Sequence, residues 1–154
     1  MSTTFTRLSW GVKASFRGYV EGVGGSIKTS GGATRTEEGA FLFEAIPGGN
    51  LTISPDGSAI GAIKFKGTVV FNAHGGMLDS TLTELAIEST DEGLVVTVLE
   101  APANDDRCAV ATLGPIELKP DGTVTMGSQI TIDGMYQIAD NYPPGTELDP
   151  VTLS

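Results

Sequence analysis

Two side chains carry most of the reactive chemistry that this sequence offers. Tyr19 brings a phenol oxygen, a hard donor that can ligate a metal or exchange a proton, and His74 is the single imidazole of the chain. An imidazole can donate or accept a hydrogen bond, shuttle a proton or bind a metal near neutral pH. Other groups offer less. Cys108 is the one cysteine and has no histidine beside it, so it reads as a small apolar packing residue. Asp105 and Asp106 in "NDDRC" lack the spaced oxygen ligands of a calcium loop and read as a solvated turn. Zinc sites of the finger or His-rich type are excluded by the same counts, and a single cysteine forms no intramolecular disulfide. No serine nucleophile elbow or phosphate-binding glycine loop occurs, and no carboxylate pair stands out.

The segment "SWGVKASFRGYV", residues 9–20, must position the phenol. It reads as a helix with Ser9 as N-cap. At 3.6 residues per turn, Val12, Phe16, Tyr19 and Val20 share an apolar side, and Lys13, Arg17 and Glu21 face solvent. Ser15 lies one turn before Tyr19 and projects with it. Gly11, Ala14 and Gly18 flank the pair. Each glycine inside a short helix costs about 1 kcal/mol against alanine. Close approach of something to this flank is therefore implied, either a packed strand or a flat ligand. Read alone, Tyr19 is a core tyrosine whose hydroxyl meets a backbone carbonyl, or a ligand.

His74 sits in "KGTVVFNAHGGMLDSTL", residues 66–82. With period two, Phe65, Gly67, Val69, Phe71 and Ala73 form one strand face, and Lys66, Thr68, Val70, Asn72 and His74 the other. His74 thus ends a strand, off the core face, where Gly75 and Gly76 let the chain turn sharply. It is either a solvated loop histidine or a partner for a ligand.

The rest of the chain supplies the scaffold. Glycine numbers 21 in 154 residues, about twice the usual frequency, which favours a turn-rich β protein. Short apolar runs alternate with turn signals every 8–12 residues. They predict strands over 40–46, 50–54, 58–64, 66–72, 79–88, 93–100, 107–113, 115–119, 123–127 and 129–133, with "SIKTS" as an earlier short strand. "SPDGS" and "KPDGT" read as hairpin turns, and a short helix is expected near 134–141. The fold class is mainly β: one twisted, antiparallel, sandwich-like domain over 1–154, with an N-terminal helix. A net charge of −10 repels nucleic acid and anionic membrane surfaces. No apolar run is long enough to span a bilayer, and "MSTTFTRLSW" has no secretory signal pattern, so the chain reads either as cytoplasmic as written or as a fragment lacking its signal.

Taken together, "LSWGVKASFRGYV", "GTVVFNAHGGMLDSTL" and the closing "GTELDPVTLS" resemble the HtaA-type haem-binding domain of actinobacterial haem-uptake proteins. The resemblance runs from about residue 7 to residue 153. It implies a mostly β domain that binds Fe(III) protoporphyrin IX (haem b) non-covalently beside the first helix. It implies Tyr19 as axial ligand to ferric iron, His74 as hydrogen-bond partner of that tyrosine, and Ser15 near a propionate. "NAHGG" departs from the family in placing Ala73 where glycine is commoner before the histidine. Members of the family are exported or surface-anchored, often in several copies. A phenolate favours Fe(III), and since a free phenol loses its proton only near about pH 10, ligation must displace it. Val12 and Phe16, with Val70, are the apolar candidates for burying the macrocycle, and Lys13 or Arg17 could meet propionates at the rim.

The function expected on this basis is haem transport, uptake or storage without catalysis, with haem-donor or haem-acceptor proteins as partners. A haem-dependent peroxidase or catalase-like enzyme is the alternative, since catalases also use a tyrosine ligand. It lacks a second histidine for acid–base work. A haem-free β-sandwich interaction module is the third reading, and homodimerisation through the helix or a sheet edge is an assembly the sequence allows.

Overall fold

Alternating side chains build the sheet. In "FLFEA" Phe41 and Phe43 turn inward, in "AIKFK" Ile63 and Phe65, and in "TVVFNA" Val69, Phe71 and Ala73. Each strand thus buries one face and wets the other. The computed structural model describes residues 5–54, 56, 58–91, 93–99, 106–138 and 142–154. In chain order the elements are β1 (Arg7–Trp10), α1 (Ala14–Gly22), β2 (Ser26–Ser30), β3 (Thr34–Arg35), β4 (Phe41–Ala45), β5 (Thr52–Ile53), β6 (Ala59–Ile60), β7 (Ala62–Lys66) and β8 (Thr68–Ala73). A 3-10 turn (His74–Gly76) leads to β9 (Leu78–Thr83), β10 (Ala86–Thr90), β11 (Gly93–Leu99), β12 (Arg107–Leu118), β13 (Val124–Ile130), α2 (Ile132–Gln137) and β14 (Glu147–Leu153).

The large sheet closes on itself. β1 pairs with β14 on one side and with β4 on the other, so β1-β14-β13-β12-β11-β10-β7-β4 forms a continuous antiparallel ring, with β3 added at β4. Closure satisfies backbone groups that an open sheet would leave at its edges. Trp10, Phe41, Phe43, Phe65, Ile87 and Met126 are fully buried. Each contributes roughly 1.5–3 kcal/mol relative to an exposed side chain. The Trp10 indole N–H is not orphaned by burial, because it donates to the Asp149 carbonyl at 3.0 Å.

Two excursions leave this ring, each between strands that pair. Between β1 and β4 the chain makes α1, β2 and β3. Between β7 and β10 it makes the β8–β9 hairpin. The second stem is tight: Gly67 alone separates β7 from β8 at φ 124°, and Thr68 and Thr83 share a hydroxyl hydrogen bond of 2.7 Å. The excursions then join, as β2 pairs with β8 from Ser26↔Asn72 to Ser30↔Thr68, giving the small sheet β2-β8-β9. Phe71 of that sheet meets Phe16 of α1 at a ring-centroid distance of 4.9 Å and Phe41 of the ring at 5.8 Å.

The mainly β expectation with two helices holds. Several boundaries do not. Ser9 is no N-cap: it lies inside β1, paired with Thr152 and Leu42, and the helix starts at Ala14. β14 is a strand that the pattern does not predict, because Pro150 interrupts the alternation of "ELDPVTL" and its register with β13 shifts between Met126 and Ser128. The runs 107–113 and 115–119 are one strand with an irregularity at Gly114 and Pro115, and 129–133 divides between β13 and α2. "KPDGT" closes a hairpin as expected, with Lys119 N–H donating to the Thr123 carbonyl at 2.9 Å. Pro55 and Gly57 of "SPDGS", residue 100 of the expected strand 93–100 and residues 139–141 of the expected helix lie outside the described residues, as does Asp105. Among the described residues no helix is long and apolar enough to cross a membrane.

Gly67 tests the stem. A Cβ there would sit 2.6 Å from that of Ala33, at a φ that side chains rarely adopt. Gly67→Ala should lower the free energy of unfolding in urea by at least about 2 kcal/mol. An unchanged midpoint would show that the stem tolerates a wider turn.

Candidate functional site

The structure brings the two reactive side chains together. The Tyr19 hydroxyl lies 2.5 Å from His74 Nε2, and the ring centroids are 5.7 Å apart. They are 55 residues apart in the chain and meet because the two excursions are laced together by β2 and β8. His74 opens the four-residue loop 74–77 that joins β8 to β9, Ala73 standing opposite Leu78. His74, Gly75 and Gly76 take φ of 54°, 67° and 99° in succession. Glycine holds such values freely, whereas for a histidine the left-handed region is a strained conformation retained only where the surroundings fix it.

α1 is anchored from the far side of the molecule. Lys13 at its N-cap supplies no side-chain cap. Asp149 of β14 does so instead: its Oδ1 accepts from Ala14 N–H at 3.0 Å, and its Oδ2 accepts from Arg17 Nη1 at 2.7 Å. Arg17 Nη1 also donates to the Gly11 carbonyl at 2.6 Å. A Cβ at Gly11 would strike the ends of both Arg17 and Asp149, so a larger residue there would displace this ion pair. Thus Gly11 serves this ion pair and not a ligand flank. Arg17 is no solvent-side or rim cation, its side chain being only 12% exposed. At the other end Gly25 N–H donates to Val20, and a Cβ on Gly25 would overlap the Asn72 carbonyl. The helix is pinned at both ends.

With that anchoring, Tyr19 is not at the centre of a buried face. Phe16 and Val20 are the buried residues of α1, and Tyr19 is 48% exposed. The later start of the helix removes Val12 from it: Val12 precedes α1 at φ 64° and is buried. Phe16 packs beneath the helix on Phe71 and Tyr142. Val12 and Phe16, each 1% exposed, lie in the core beneath the site. Val70 alternates onto the sheet face opposite Phe71, away from α1.

What Tyr19 does share with its surroundings is an exposed stripe. At about 100° per residue, Ser15 and Gly22 fall within about 60° of Tyr19 on one side, with Gly18 just beyond. All three are exposed. The Ser15 hydroxyl has no hydrogen-bond partner among the described residues. A Cβ on Gly18 or Gly22 would meet nothing within 4 Å, so neither glycine answers to packing inside the protein. Val23, 44% exposed, lies about 40° to the other side.

Charge around the site is largely committed. Arg35 donates to both Glu21 oxygens, at 3.2 and 3.4 Å, and this hydrogen bonding, then its charge, holds the Glu21 carboxyl below its ordinary value. Lys13 Nζ donates to the Glu147 carbonyl at 2.7 Å and lies over the Tyr142 ring. No cluster of three or more His, Cys, Asp or Glu side chains occurs among the described residues. One phenol and one imidazole make a poor cage for a bare ion. They suit a metal that arrives with its other positions already filled.

Comparison with known proteins places the chain. The HtaA family model, described as Htaa, matches residues 6–154. A search of curated proteins gives no match. Among solved structures, the C-terminal domain of HtaA from Corynebacterium glutamicum is 27% identical, with 97% of this chain and 95% of that one covered and a TM-score of 0.71. The N-terminal domain of the same protein is 21% identical, with 100% and 98% covered and a TM-score of 0.71. The heme binding protein HtaB of that organism is 23% identical, with 99% and 93% covered and a TM-score of 0.66. From Thr6 to its last residue, this chain belongs to the HtaA family.

Proposed function

We propose that the protein binds ferric haem b non-covalently, with Tyr19 as axial ligand, and carries or hands on haem without catalysis. The observation that carries this reading is the half-exposed Tyr19 phenol hydrogen-bonded at 2.5 Å to the sole imidazole, His74. Family membership and the likeness to a heme binding protein support it. When bound, the macrocycle supplies a ferric iron with its four equatorial positions filled, a hard centre that prefers an anionic oxygen.

The chain's own residues do the rest. Tyr19 must give up its proton, and His74 Nε2 is within reach to accept it or, in the other tautomer, to donate to the phenolate. The positive-φ loop and the pinned helix fix that pair before any ligand arrives, so little ordering remains to be done on binding. Ser15 offers a hydroxyl on the same stripe for a carboxylate. Gly18 and Gly22 keep the helix surface flat.

Titrating the protein with hemin should give a saturable change in the Soret band. Tyr19→Ala should abolish the charge-transfer features of a phenolate ligand. His74→Ala should weaken binding by about 10- to 100-fold, the usual effect of losing a residue that orients a metal ligand. A Tyr19→Ala protein with unchanged spectrum and affinity would refute the assignment.

Gly18 gives a prediction of opposite signs. Gly18→Ala should raise the stability of the free protein by about 1 kcal/mol, because the new methyl meets no neighbour and favours the helix. Gly18→Leu should weaken hemin binding by crowding the stripe. Tighter or equal binding of hemin to the leucine variant would show that the macrocycle lies elsewhere.

A further inference from the structure

We propose that Met77 forms an apolar wall for the bound macrocycle on the His74 side of Tyr19. This rests on the reading above and adds a contact residue that neither the sequence pattern nor the comparisons assign. Met77 is 91% exposed, the most exposed of the large hydrophobic side chains among the described residues. Leaving a thioether side chain in water forfeits its burial free energy, and an exposed methionine is a flexible contact for an apolar partner.

Its place in the fold names the partner. Met77 belongs to the same four-residue loop as His74, and its N–H donates to the His74 carbonyl at 3.3 Å, closing the turn. That turn is held against Tyr19 by the 2.5 Å hydrogen bond. On α1, Val23 stands one turn after Tyr19 and is also exposed. A planar group centred on the phenol oxygen extends to both sides of it. On one side it overlies Ser15, Gly18 and Gly22, which offer clearance but almost no apolar contact. On the other it meets Val23, and the hydrogen bond to His74 brings the loop that carries Met77 to the same phenol. The stripe thus sets the approach, and the two exposed apolar side chains provide the burial that small residues cannot. Three rotatable side-chain bonds let Met77 fold onto the ring after it arrives.

The test uses the full chain labelled with 13C at the methionine methyls, of which the sequence has four. Gallium(III) protoporphyrin IX is the probe, because it is diamagnetic and its ring current shifts nearby nuclei. Saturation should move the Met77 methyl resonance upfield and leave that of the buried Met126 in place. In parallel, Met77→Gln should weaken hemin binding roughly tenfold with the Soret position unchanged, whereas Met77→Leu should stay within about twofold of the parent. Both are surface substitutions that spare the core. If hemin binds in a Tyr19-dependent way while the Met77 methyl does not move and Met77→Gln binds equally, this inference is overturned and the Tyr19 reading stands. If the parent protein shows no saturable porphyrin binding, both fail together.

Discussion

The site depends on one backbone ladder, the pairing of β2 with β8. Tyr19 and His74 sit on separate excursions from the closed ring, one between β1 and β4, the other between β7 and β10. Nothing in the ring itself brings them together. Five register pairs between β2 and β8 do so, and the short connection from Val20 through Gly25 to Ser26 carries the helix to the end of the hairpin. A slip of one residue in that ladder would turn Phe71 outward and withdraw the core contact with Phe16. Burial of the aromatic face therefore fixes the register, and the register delivers the polar pair.

Rigidity is distributed to suit a surface site. The Tyr19 helix is short, with nine residues, and could not hold its own geometry in isolation. Asp149 and Arg17 hold its start, and Phe16 and Val20 hold its face. The exposed stripe is left free of such duties: Ser15, Gly18 and Gly22 make no packing contact that explains them. A ligand that stands against this stripe meets a surface already shaped, at the expense of the helix propensity the glycines forgo. The acidic surface opposes carboxylate groups at long range, so hydroxyl and backbone donors must carry local recognition while the nearby cations remain engaged with Asp149, Glu21 and Glu147.

Much of this was legible in the sequence where periodicity is strong. The alternation of Val69, Phe71 and Ala73 and the glycine pair after His74 correctly marked a strand ending in a sharp turn. The closed ring was not legible, because closure pairs β1, only four residues long, with β14, whose alternation Pro150 interrupts and which lies at the far end of the chain. The helix was misjudged at its start for a related reason. Ser9 has the composition of a cap, but strand pairing with Leu42 and Thr152 overrides local preference. That shift takes Val12 out of the helix, whose buried face is carried by Phe16 and Val20 and not by Tyr19. Asp149 escaped notice since a cap supplied from 135 residues away leaves no local signature. The Tyr19–His74 pairing came from resemblance, not from spacing.

The central claim is that the Tyr19 oxygen is the iron ligand and that His74 steadies it. A crystal structure of the hemin-loaded protein tests this most directly. The account predicts iron at bonding distance from Tyr19 Oη, with His74 Nε2 still hydrogen-bonded to that same oxygen. Iron held by any other side chain, or a macrocycle seated away from the α1 stripe, would contradict it.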